Sequence, residues 1–309
     1  MAHYLITGGC GFIGSHLADR LLADGHRVTI LDNLSNGRLE NKPAAARLVV
    51  GDVADPDAAR QAVEGVDGVF HLAAVASVQR SRELWAETHR TNLLGTVTMF
   101  EAARDARNGG PVPVVYASSA AVYGEGAAKP LKEDDPLRPL SAYGVDKLGC
   151  EMHARVAWSI QGVPTSGFRL FNVYGPRQDP LSPYSGVISI FARRVARGEN
   201  IEIHGDGQQV RDFVFVGDAA RILALAMERR GAGAAVCNLC TGRATSLVML
   251  LEVLQELCGS QVRRRHTAAR AGDIRVSIGD PSLLRTRFDT GCRVGLLQGL
   301  SATLTGRMP

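Results

Sequence analysis

The stretch Leu5-Ile-Thr-Gly-Gly-Cys-Gly-Phe-Ile-Gly-Ser15 decides the fold of this 309-residue chain. An apolar run leads into glycines at 8, 9, 11 and 14, and a helical pattern of apolar residues follows (Phe12, Leu17, Leu21, Leu22). This order predicts a strand, a tight turn and the start of a helix. Glycine lets the backbone of such a turn approach a pyrophosphate closely enough for free N–H groups to bind it. The stretch therefore indicates a phosphate-binding turn.

A carboxylate follows at the spacing that a dinucleotide site requires. Residues 27–31 form a second apolar strand pattern, and Asp32 comes directly after it. An acid about 20 residues beyond the glycines accepts hydrogen bonds from the adenosine ribose and disfavours a 2′-phosphate. The order predicts an NAD site. The alternative interpretation is that Asp32 only caps a local turn with Asn33.

The composition is that of an ordinary globular protein, with 45% hydrophobic and 21% charged residues and a net charge of +4. Neither a nucleic-acid partner nor a membrane partner is expected, because the charge is small and dispersed and no apolar run reaches the ~20 residues of a membrane span. Since the N-terminus enters a strand pattern directly, without a signal peptide, we expect a cytoplasmic protein.

The sequence predicts no catalytic or metal-binding role for the cysteines, for His71 or for the basic run at 263–266. Cys237 and Cys240 have the spacing of metal ligands, but no second pair accompanies them, so buried thiols are favoured and no metal site is expected. His71 lies inside an apolar strand pattern and is predicted to be a hydrogen-bonded core residue. The basic run at 263–266 is predicted to be a solvated loop or an edge strand.

Strand and helix patterns alternate through about the first 180 residues. Apolar strands at 48–50, 66–72 and 112–117 are separated by segments of helical length, and helices are predicted at about 83–107. This alternation predicts an α/β fold with a Rossmann-like doubly wound parallel sheet. We expect an NAD-binding domain at 1–175, with returning segments near 210–240. A smaller C-terminal α/β substrate-binding domain is expected at 176–309.

Hydroxyl groups meet at the predicted carboxyl end of a central strand. The run Ala117-Ser-Ser119 places Ser119 where the nicotinamide end of a dinucleotide would lie. Tyr143 and Lys147 are four residues apart, which puts them on one face of a helix. An ammonium beside a phenol favours the phenolate, the form that accepts a proton near neutral pH. These side chains are therefore candidates for acid–base catalysis.

Taken together, these motifs closely resemble the extended short-chain dehydrogenase/reductase family, and within it the nucleotide-sugar epimerases. The resemblance covers nearly the whole chain, from Tyr4 to about Asp280. The motifs that carry it are Thr7-Gly8-Gly9-x-Gly11-Phe12-Ile13-Gly14, Asp32-Asn33-Leu34, Gly51-Asp52, His71-Leu72-Ala73-Ala74, Asn92, Ser118-Ser119-Ala120, Tyr143-x-x-x-Lys147 and Phe168-Arg169-x-Phe171-Asn172-Val173-Tyr174-Gly175-Pro176-Arg177.

The resemblance implies NAD as the cofactor, bound by Gly8, Gly11, Phe12, Ile13, Gly14, Asp32, Asn33, Asp52, Val53, Leu72, Ala73, Ala74, Asn92, Tyr143, Lys147 and Phe171. It implies that Ser119 and Tyr143 contact the sugar 4-hydroxyl and that Lys147 holds the nicotinamide ribose. Substrate contacts are implied for Ser119, Tyr143, Asn172, His204, Arg211, Arg270, Asp273 and Ser277. Arg211 would bind the diphosphate, since its fork suits a phosphate; an ion pair with Asp212 or Asp218 is the alternative.

Ser277 bears on the choice of sugar. In the epimerases that the chain resembles, a tyrosine at the matching position confines the site to plain hexoses, whereas Ser or Cys leaves room for a 2-acetamido group. The resemblance therefore implies 4-epimerisation of UDP-N-acetylglucosamine and UDP-N-acetylgalactosamine through a 4-keto intermediate. UDP-glucose and UDP-galactose are the alternative pair, and Ser277 could instead be only a small loop residue.

Neighbouring activities are disfavoured by the residues after Ser119. Dehydratases of the family carry an acid there, whereas this chain has Ala120 and Ala121. A non-catalytic NAD-binding regulator is a further alternative, which the complete set of Ser119, Tyr143 and Lys147 disfavours. The family also implies a homodimer formed by the helices at 83–107 and 143–159. After Phe288 the chain departs from the family pattern.

Overall fold

The computed structural model describes residues 1–106, 110–125, 129–181, 186–229, 233–269 and 273–308. The chain divides into two compact units. The first unit comprises Met1–Val122, Pro139–Arg169 and Ala220–Cys237, and the second comprises Tyr123–Arg138, Leu170–Ala219 and Asn238–Pro309. The assignment of NAD binding to residues 1–175 and of substrate binding mainly to residues 176–309 stays a prediction.

The strands are β1 (His3–Thr7), β2 (Arg27–Asp32), β3 (Arg47–Val50), β4 (Gly68–His71), β5 (Val114–Ser119), β6 (Thr165–Leu170), β7 (Asn172–Tyr174), β8 (Ile201–His204), β9 (Val210–Arg211), β10 (Phe213–Phe215), β11 (Ala234–Leu239), β12 (Thr245–Ser246), β13 (Arg264–Thr267) and β14 (Val276–Ser277). The helices are α1 (Phe12–Ala23), α2 (Pro56–Val63), α3 (Val78–Glu83), α4 (Trp85–His89), α5 (Gly95–Arg104), α6 (Ala142–Gln161), α7 (Val187–Ala196), α8 (Val216–Glu228), α9 (Leu247–Cys258), α10 (Ser282–Phe288) and α11 (Leu296–Thr305). A π-helical turn spans Arg90–Leu94, and 3-10 turns span Leu39–Asn41 and Ala120–Tyr123.

A seven-stranded parallel sheet flanked by helices has the order β11-β6-β5-β4-β1-β2-β3. In its centre, Ile6 of β1 lies opposite Ile30 of β2 on one side and Phe70 of β4 on the other. The order reverses between β1 and β4, and doubly wound sheets bind ligands at the carboxyl ends of strands beside such a switch point. The predicted Rossmann-like doubly wound fold is confirmed.

Burial on both faces explains why these strands are nearly unbroken apolar runs. Leu5, Val69 and Val114, from three neighbouring strands, belong to one buried cluster with Phe100 of α5. Removing a buried side chain of this size typically costs about 2–5 kcal/mol of stability. The strand ends that carry polar residues therefore stand on a rigid apolar core.

Helices are predicted at about 83–107, and the structure has several helical segments there; residue 107 lies outside the described residues. The backbone of Leu84 leaves helical geometry with φ −126° and ψ 63°, which separates α3 from α4. The π-helical turn then widens the chain before α5 begins at Gly95. A Cβ at Gly95 would lie 2.7 Å from Val53 Cγ2, so glycine allows this close approach. The helices predicted over this range are present, but apolar periodicity did not reveal the break at Leu84 or the π-helical turn.

The described part of the second unit contains smaller sheets. β7 pairs in parallel with β10, β8 pairs in parallel with β13, and β9 lies between β12 and β14. The basic run at 263–266 is exposed, and Arg264, Arg265 and His266 belong to β13. Arg211 of β9 is the register partner of Ser277 of β14. Two residues predicted from the family are therefore neighbours in one sheet.

His71 is the centre of a buried hydrogen-bond chain in the first unit. Its Nδ1 lies 2.9 Å from Thr7 Oγ1, and its Nε2 lies 3.0 Å from Thr96 Oγ1. Thr96 donates its own proton to the Asn92 carbonyl oxygen at 2.6 Å, so it accepts from Nε2–H of His71. Burial lowers the pKa of His71 to about 3. His71 is therefore neutral and links β1, β4 and α5, as the core interpretation predicted.

This burial predicts that the protein loses stability on acidification. An unfolded histidine binds a proton below about pH 6.5, whereas folded His71 does so only near pH 3. Above pH 6.5 the histidine is neutral in both the folded and the unfolded protein, so it does not affect stability. Below pH 6.5 only the unfolded histidine is protonated, and the free energy of unfolding falls by up to about 1.4 kcal/mol per pH unit. Urea unfolding between pH 7 and pH 4 should show a flatter pH dependence for His71→Gln than for wild type. The exposed His153→Gln variant is the control, and equal slopes for His71→Gln and wild type would contradict the prediction.

Candidate active site

The turn between β1 and α1 has the geometry of an anion cradle. Gly8 has a φ of +69°, which glycine adopts without strain, and its N–H donates to the Leu31 carbonyl oxygen at 2.8 Å. A Cβ at Gly14 would collide with the Gly8 carbonyl oxygen. Within the described residues, no side chain caps the N-terminus of α1 at Gly11, so backbone N–H groups remain there for an anion. The cradle fits the pyrophosphate of NAD.

Asp32 ends β2 with a buried carboxylate. Its Oδ2 accepts from the Cys10 N–H at 2.9 Å, and its Oδ1 accepts from the Leu34 N–H at 2.8 Å. Each bond uses one lone pair per oxygen, so the carboxylate keeps the capacity to accept ribose hydroxyls. The bonds also fix the loop: Leu34 has a φ of +58°, a left-handed conformation that a non-glycine residue adopts only when held.

Asp52 lies beyond β3 and binds two donors. Its Oδ1 accepts from the Ala54 N–H at 2.8 Å, and its Oδ2 accepts from Arg90 Nη1 at 2.5 Å. Burial alone would raise the pKa of Asp52, but these bonds hold it below its ordinary value. Val53, the other residue implied for the adenine side, is buried. The adenine contact of Asp52 stays a prediction, since its carboxylate is engaged by Arg90.

Asn92 stands in the π-helical turn and holds the loop after β4. Its Oδ1 accepts from the Val75 N–H at 2.8 Å, and its Nδ2 donates to the Val75 carbonyl oxygen at 3.3 Å. Thr7 Oγ1 accepts from the N–H groups of Leu72 and Ala73, each at 3.1 Å. π-Helical turns often occur at functional sites.

Of the other implied cofactor residues, Phe12 and Ile13 are the first residues of α1, Asn33 follows β2 and Ala74 is half-buried beyond β4.

The candidate catalytic side chains lie at the carboxyl end of β5 and in the first turns of α6. Ser119 is half-buried, and its Oγ accepts from the Ala121 N–H at 3.1 Å. Lys147 is only 3% exposed; its Nζ donates to the Ala117 carbonyl oxygen at 2.9 Å and lies 5.9 Å from the centre of the Tyr143 ring. The ammonium is thus held beside the half-buried phenol. The role of Tyr143 in acid–base catalysis stays a prediction.

Arg211 is held by acceptors of the second unit. Its Nη2 donates to Asp273 Oδ1 at 2.6 Å, and its Nη1 donates to the carbonyl oxygens of Val210 at 2.9 Å and Ile274 at 2.6 Å. Burial lowers the pKa of Arg211, but a guanidinium keeps its charge in proteins. Asp212 binds the turn at Thr241 and Gly242. The fork is therefore fixed before any ligand binds, and its diphosphate contact stays a prediction.

Gln209 is a further candidate for substrate binding, and the sequence patterns did not indicate it. Its Nε2 donates to the His204 carbonyl oxygen at 2.8 Å and lies 3.3 Å from Asp273 Oδ2, while its buried Oε1 has no partner among the described residues. His204 Nδ1 lies 2.9 Å from Thr267 Oγ1. The sequence signal for Gln209 was its position two residues before Arg211.

The remaining predicted substrate residues are placed as follows. Asn172 is exposed at the start of β7, and its N–H donates to the Asp212 carbonyl oxygen at 3.0 Å. Phe171 is buried, 6.5 Å from the Tyr123 ring centre. Ser277 is half-buried beside Arg211. Arg270 lies outside the described residues.

Two features are absent from the described residues. They contain no group of three or more His, Cys, Asp or Glu side chains that could hold a metal ion. Over the same residues, no helix is both long and apolar enough to cross a membrane. Cys237 and Cys240 are buried thiols, as predicted, and neither forms a disulfide.

Comparison with known proteins gives consistent matches over most of the chain. The family model described as "NAD dependent epimerase/dehydratase family" matches residues 4–240. A UDP-glucose 4-epimerase from Mycolicibacterium smegmatis is 37% identical over 97% of this chain and 96% of its own. The crystal structure of a UDP-glucose 4-epimerase with UDP-glucose from Thermotoga maritima has a TM-score of 0.93 and 36% identity, covering 98% of this chain and 97% of that one.

A second solved structure is similar to the same extent. It is a UDP-N-acetylglucosamine 4-epimerase from Methanobrevibacter ruminantium in complex with UDP-N-acetylmuramic acid, with a TM-score of 0.92 and 34% identity over 98% of this chain and 97% of that one. The resemblance drawn from the sequence motifs is confirmed. The chain belongs to the NAD-dependent epimerase/dehydratase family.

Proposed function

We propose that the chain is an NAD-dependent UDP-sugar 4-epimerase that prefers UDP-N-acetylglucosamine and UDP-N-acetylgalactosamine. The observation that carries the proposal is the Tyr143–Lys147 pair, with Lys147 Nζ 5.9 Å from the ring centre, beside a strand that ends in Ser119. The similar proteins named as UDP-sugar 4-epimerases support the reaction class. The cradle at Gly8–Gly14 supports NAD as the cofactor.

The chemistry begins with proton removal from the sugar 4-hydroxyl. Tyr143 accepts this proton as phenolate, directly or through the hydroxyl of Ser119. Lys147, fixed by the Ala117 carbonyl oxygen, stabilises the phenolate. When bound, NAD supplies the oxidation and re-reduction of sugar C4. A positioned base of this kind typically contributes about 10²–10⁴-fold to the rate.

Inversion requires that the flat 4-keto sugar presents both faces to the same chain residues. Arg211 would hold the diphosphate while the sugar rotates about the bond that joins the sugar to the diphosphate. Arg211 suits this role because hydrogen bonds to Asp273, Val210 and Ile274 fix its guanidinium. Tyr143 then returns the proton to the 4-oxygen. Because the proton ends where it began, no external acid is consumed.

Replacing Tyr143 with Phe removes the base and leaves the cradle intact. We expect kcat to fall by at least about 100-fold while the purified protein retains its NAD, because the lost step is proton transfer. Tyr116→Phe is the matched control, since the Tyr116 hydroxyl is buried with no partner among the described residues. Nearly full turnover by Tyr143→Phe would refute the assignment of the base.

The preference for acetylated sugars rests on Ser277. Its side chain is small and lies opposite Arg211 in the pairing of β14 with β9, next to the group proposed to bind the diphosphate. A serine there leaves the room that a 2-acetamido group needs. The similar UDP-glucose 4-epimerases favour UDP-glucose and UDP-galactose as the second candidate pair.

Ser277→Tyr should separate the two substrate pairs. The larger ring would fill the space beside Arg211, so kcat/KM for UDP-N-acetylglucosamine should fall at least tenfold while kcat/KM for UDP-glucose changes little. Ser301→Tyr, on an exposed position of α11, is the matched control. A parallel loss for both sugars would mean that Ser277 does not select the substrate.

We also propose a homodimer, because α6 carries an exposed apolar stripe. Val145, Met152, Val156 and Ile160 lie at helical spacing on one face, and Met152 and Ile160 are 60% and 77% exposed. Contiguous exposed apolar residues commonly mark an interaction site, and a two-fold interface brings one such face against its own copy. We also propose a cytoplasmic location, since none of the six cysteines forms a disulfide.

The double variant Val156→Glu/Ile160→Glu should be monomeric. Each charge enters a two-fold interface twice, so like charges face each other when the stripe is buried. Sedimentation velocity of the wild type should give a dimer, and the variant should sediment as a folded monomer. Leu297→Glu, on α11, is the control that should leave the dimer intact. A monomeric wild type, or a variant that still dimerises, would rule out this interface.

A further inference from the structure

A buried ion pair lies beside the candidate catalytic residues and has no role in the chemistry described above. Glu151 of α6 accepts from Arg169 of β6 through two bonds: Oε1 from Nε at 2.9 Å and Oε2 from Nη2 at 2.8 Å. Both side chains are 2% exposed. Glu151 Oε1 also accepts from Ser118 Oγ at 2.6 Å. The carboxylate therefore joins one helix to two neighbouring strands.

The pair is in register with the catalytic residues. Tyr143, Lys147 and Glu151 follow one another at four-residue spacing, so they share one face of α6. Consecutive residues of β5 bind consecutive turns of this helix: the Ala117 carbonyl oxygen accepts from Lys147, and Ser118 donates to Glu151. These two bonds set how far α6 lies along β5 and how it is rotated.

The charges also depend on one another. Glu151 lies one helical turn, about 6 Å, from Lys147 along the helix axis. An uncompensated carboxylate at that distance would attract the ammonium away from the Ala117 carbonyl oxygen and from the phenol. The two bonds from Arg169 neutralise Glu151, so Lys147 stays where it acts. A buried pair adds little net stability compared with apolar residues, which makes a positioning role the stronger explanation.

The other titratable groups described near the pair are neutral, exposed or paired elsewhere. Burial raises the pKa of Tyr116 of β5 and of Cys150 of α6, so both are neutral. His71 of β4 is neutral with a pKa of about 3. Of the charged neighbours on α6 itself, Asp146 binds His89 at 2.8 Å and Arg155 is exposed.

We propose that Glu151 and Arg169 are positioning residues for the reaction: they fix α6 on β5 and balance the charge that Lys147 experiences beside Tyr143. The inference rests on the proposed use of Tyr143 as the base. It assigns a task in the reaction to a pair that would otherwise be a structural ion pair. Its signature is a change in the ionisation of Tyr143 whose sign follows the charge removed.

The test measures tyrosinate absorbance against pH in the full-length protein as purified with NAD. Each variant is compared with the same variant carrying Tyr143→Phe, so the difference reports Tyr143 alone. Arg169→Met leaves the Glu151 charge uncompensated, and Glu151→Gln leaves the Arg169 charge uncompensated. Arg169→Lys is the matched control, because it loses the fork but keeps the charge. The double variant Glu151→Gln/Arg169→Met removes both charges.

We expect Tyr143 to ionise at higher pH in Arg169→Met and at lower pH in Glu151→Gln. A unit charge two helical turns away, about 12 Å, shifts such an ionisation by about one pH unit at an effective dielectric constant of 20. The double variant and Arg169→Lys should titrate near the wild-type pH. Melting temperatures, measured in parallel, should fall for Arg169→Met and Glu151→Gln, which each leave one buried charge unpaired, and should fall less for the double variant.

Unchanged titration in both Arg169→Met and Glu151→Gln, or shifts of the same sign, would overturn the proposal and leave a purely structural ion pair. If Arg169→Met does not fold, the comparison of Glu151→Gln with Arg169→Lys still tests the proposal. Only Glu151→Gln should change the pH at which Tyr143 ionises. The titration needs no turnover. Absence of epimerase activity in the wild type would therefore refute the proposed function separately from this inference.

Discussion

The hydrogen bond from Lys147 Nζ to the Ala117 carbonyl oxygen is the contact on which the candidate chemistry depends. It anchors a buried ammonium to the end of a central strand and leaves that charge 5.9 Å from the centre of the Tyr143 ring. The anchor is firm because β5 is paired on both sides, and Val114, Val115 and Tyr116 are all buried. A rigid sheet thus converts a flexible lysine into a fixed charge. Electrostatic stabilisation requires this preorganisation.

The two units fix their polar groups in different ways. The first must present backbone N–H groups, a carboxylate and a phenol at the ends of parallel strands, which a doubly wound sheet does through its connecting loops. In the second unit, the acceptors of Asp273, Val210 and Ile274 fix the guanidinium of Arg211, the group proposed to bind the diphosphate. In both cases the charged group is immobilised before a ligand arrives, which lowers the entropy cost of binding.

Local sequence was sufficient for features that arise within one or two helical turns. The glycine turn, Asp32 after β2 and the shared face of Tyr143 and Lys147 all follow from short spacings. Contacts between distant segments were not predictable. Arg211 forms its ion pair with Asp273 and not with the aspartates close to it in the sequence, and Glu151 pairs with Arg169 of another element. The π-helical turn around Asn92 was also missed, because one extra residue in a helix leaves no pattern in composition or periodicity.

The central claim is that this chain inverts C4 of a UDP-sugar with NAD that it regenerates in each cycle. The most direct test is a proton NMR time course of the purified protein without added cofactor, given UDP-N-acetylglucosamine and, separately, UDP-glucose. We predict formation of the 4-epimer of each sugar, faster for the acetylated one. Faster conversion of UDP-glucose would retain the mechanism and refute the role of Ser277. No conversion of either sugar, even with NAD supplied, would contradict the central claim.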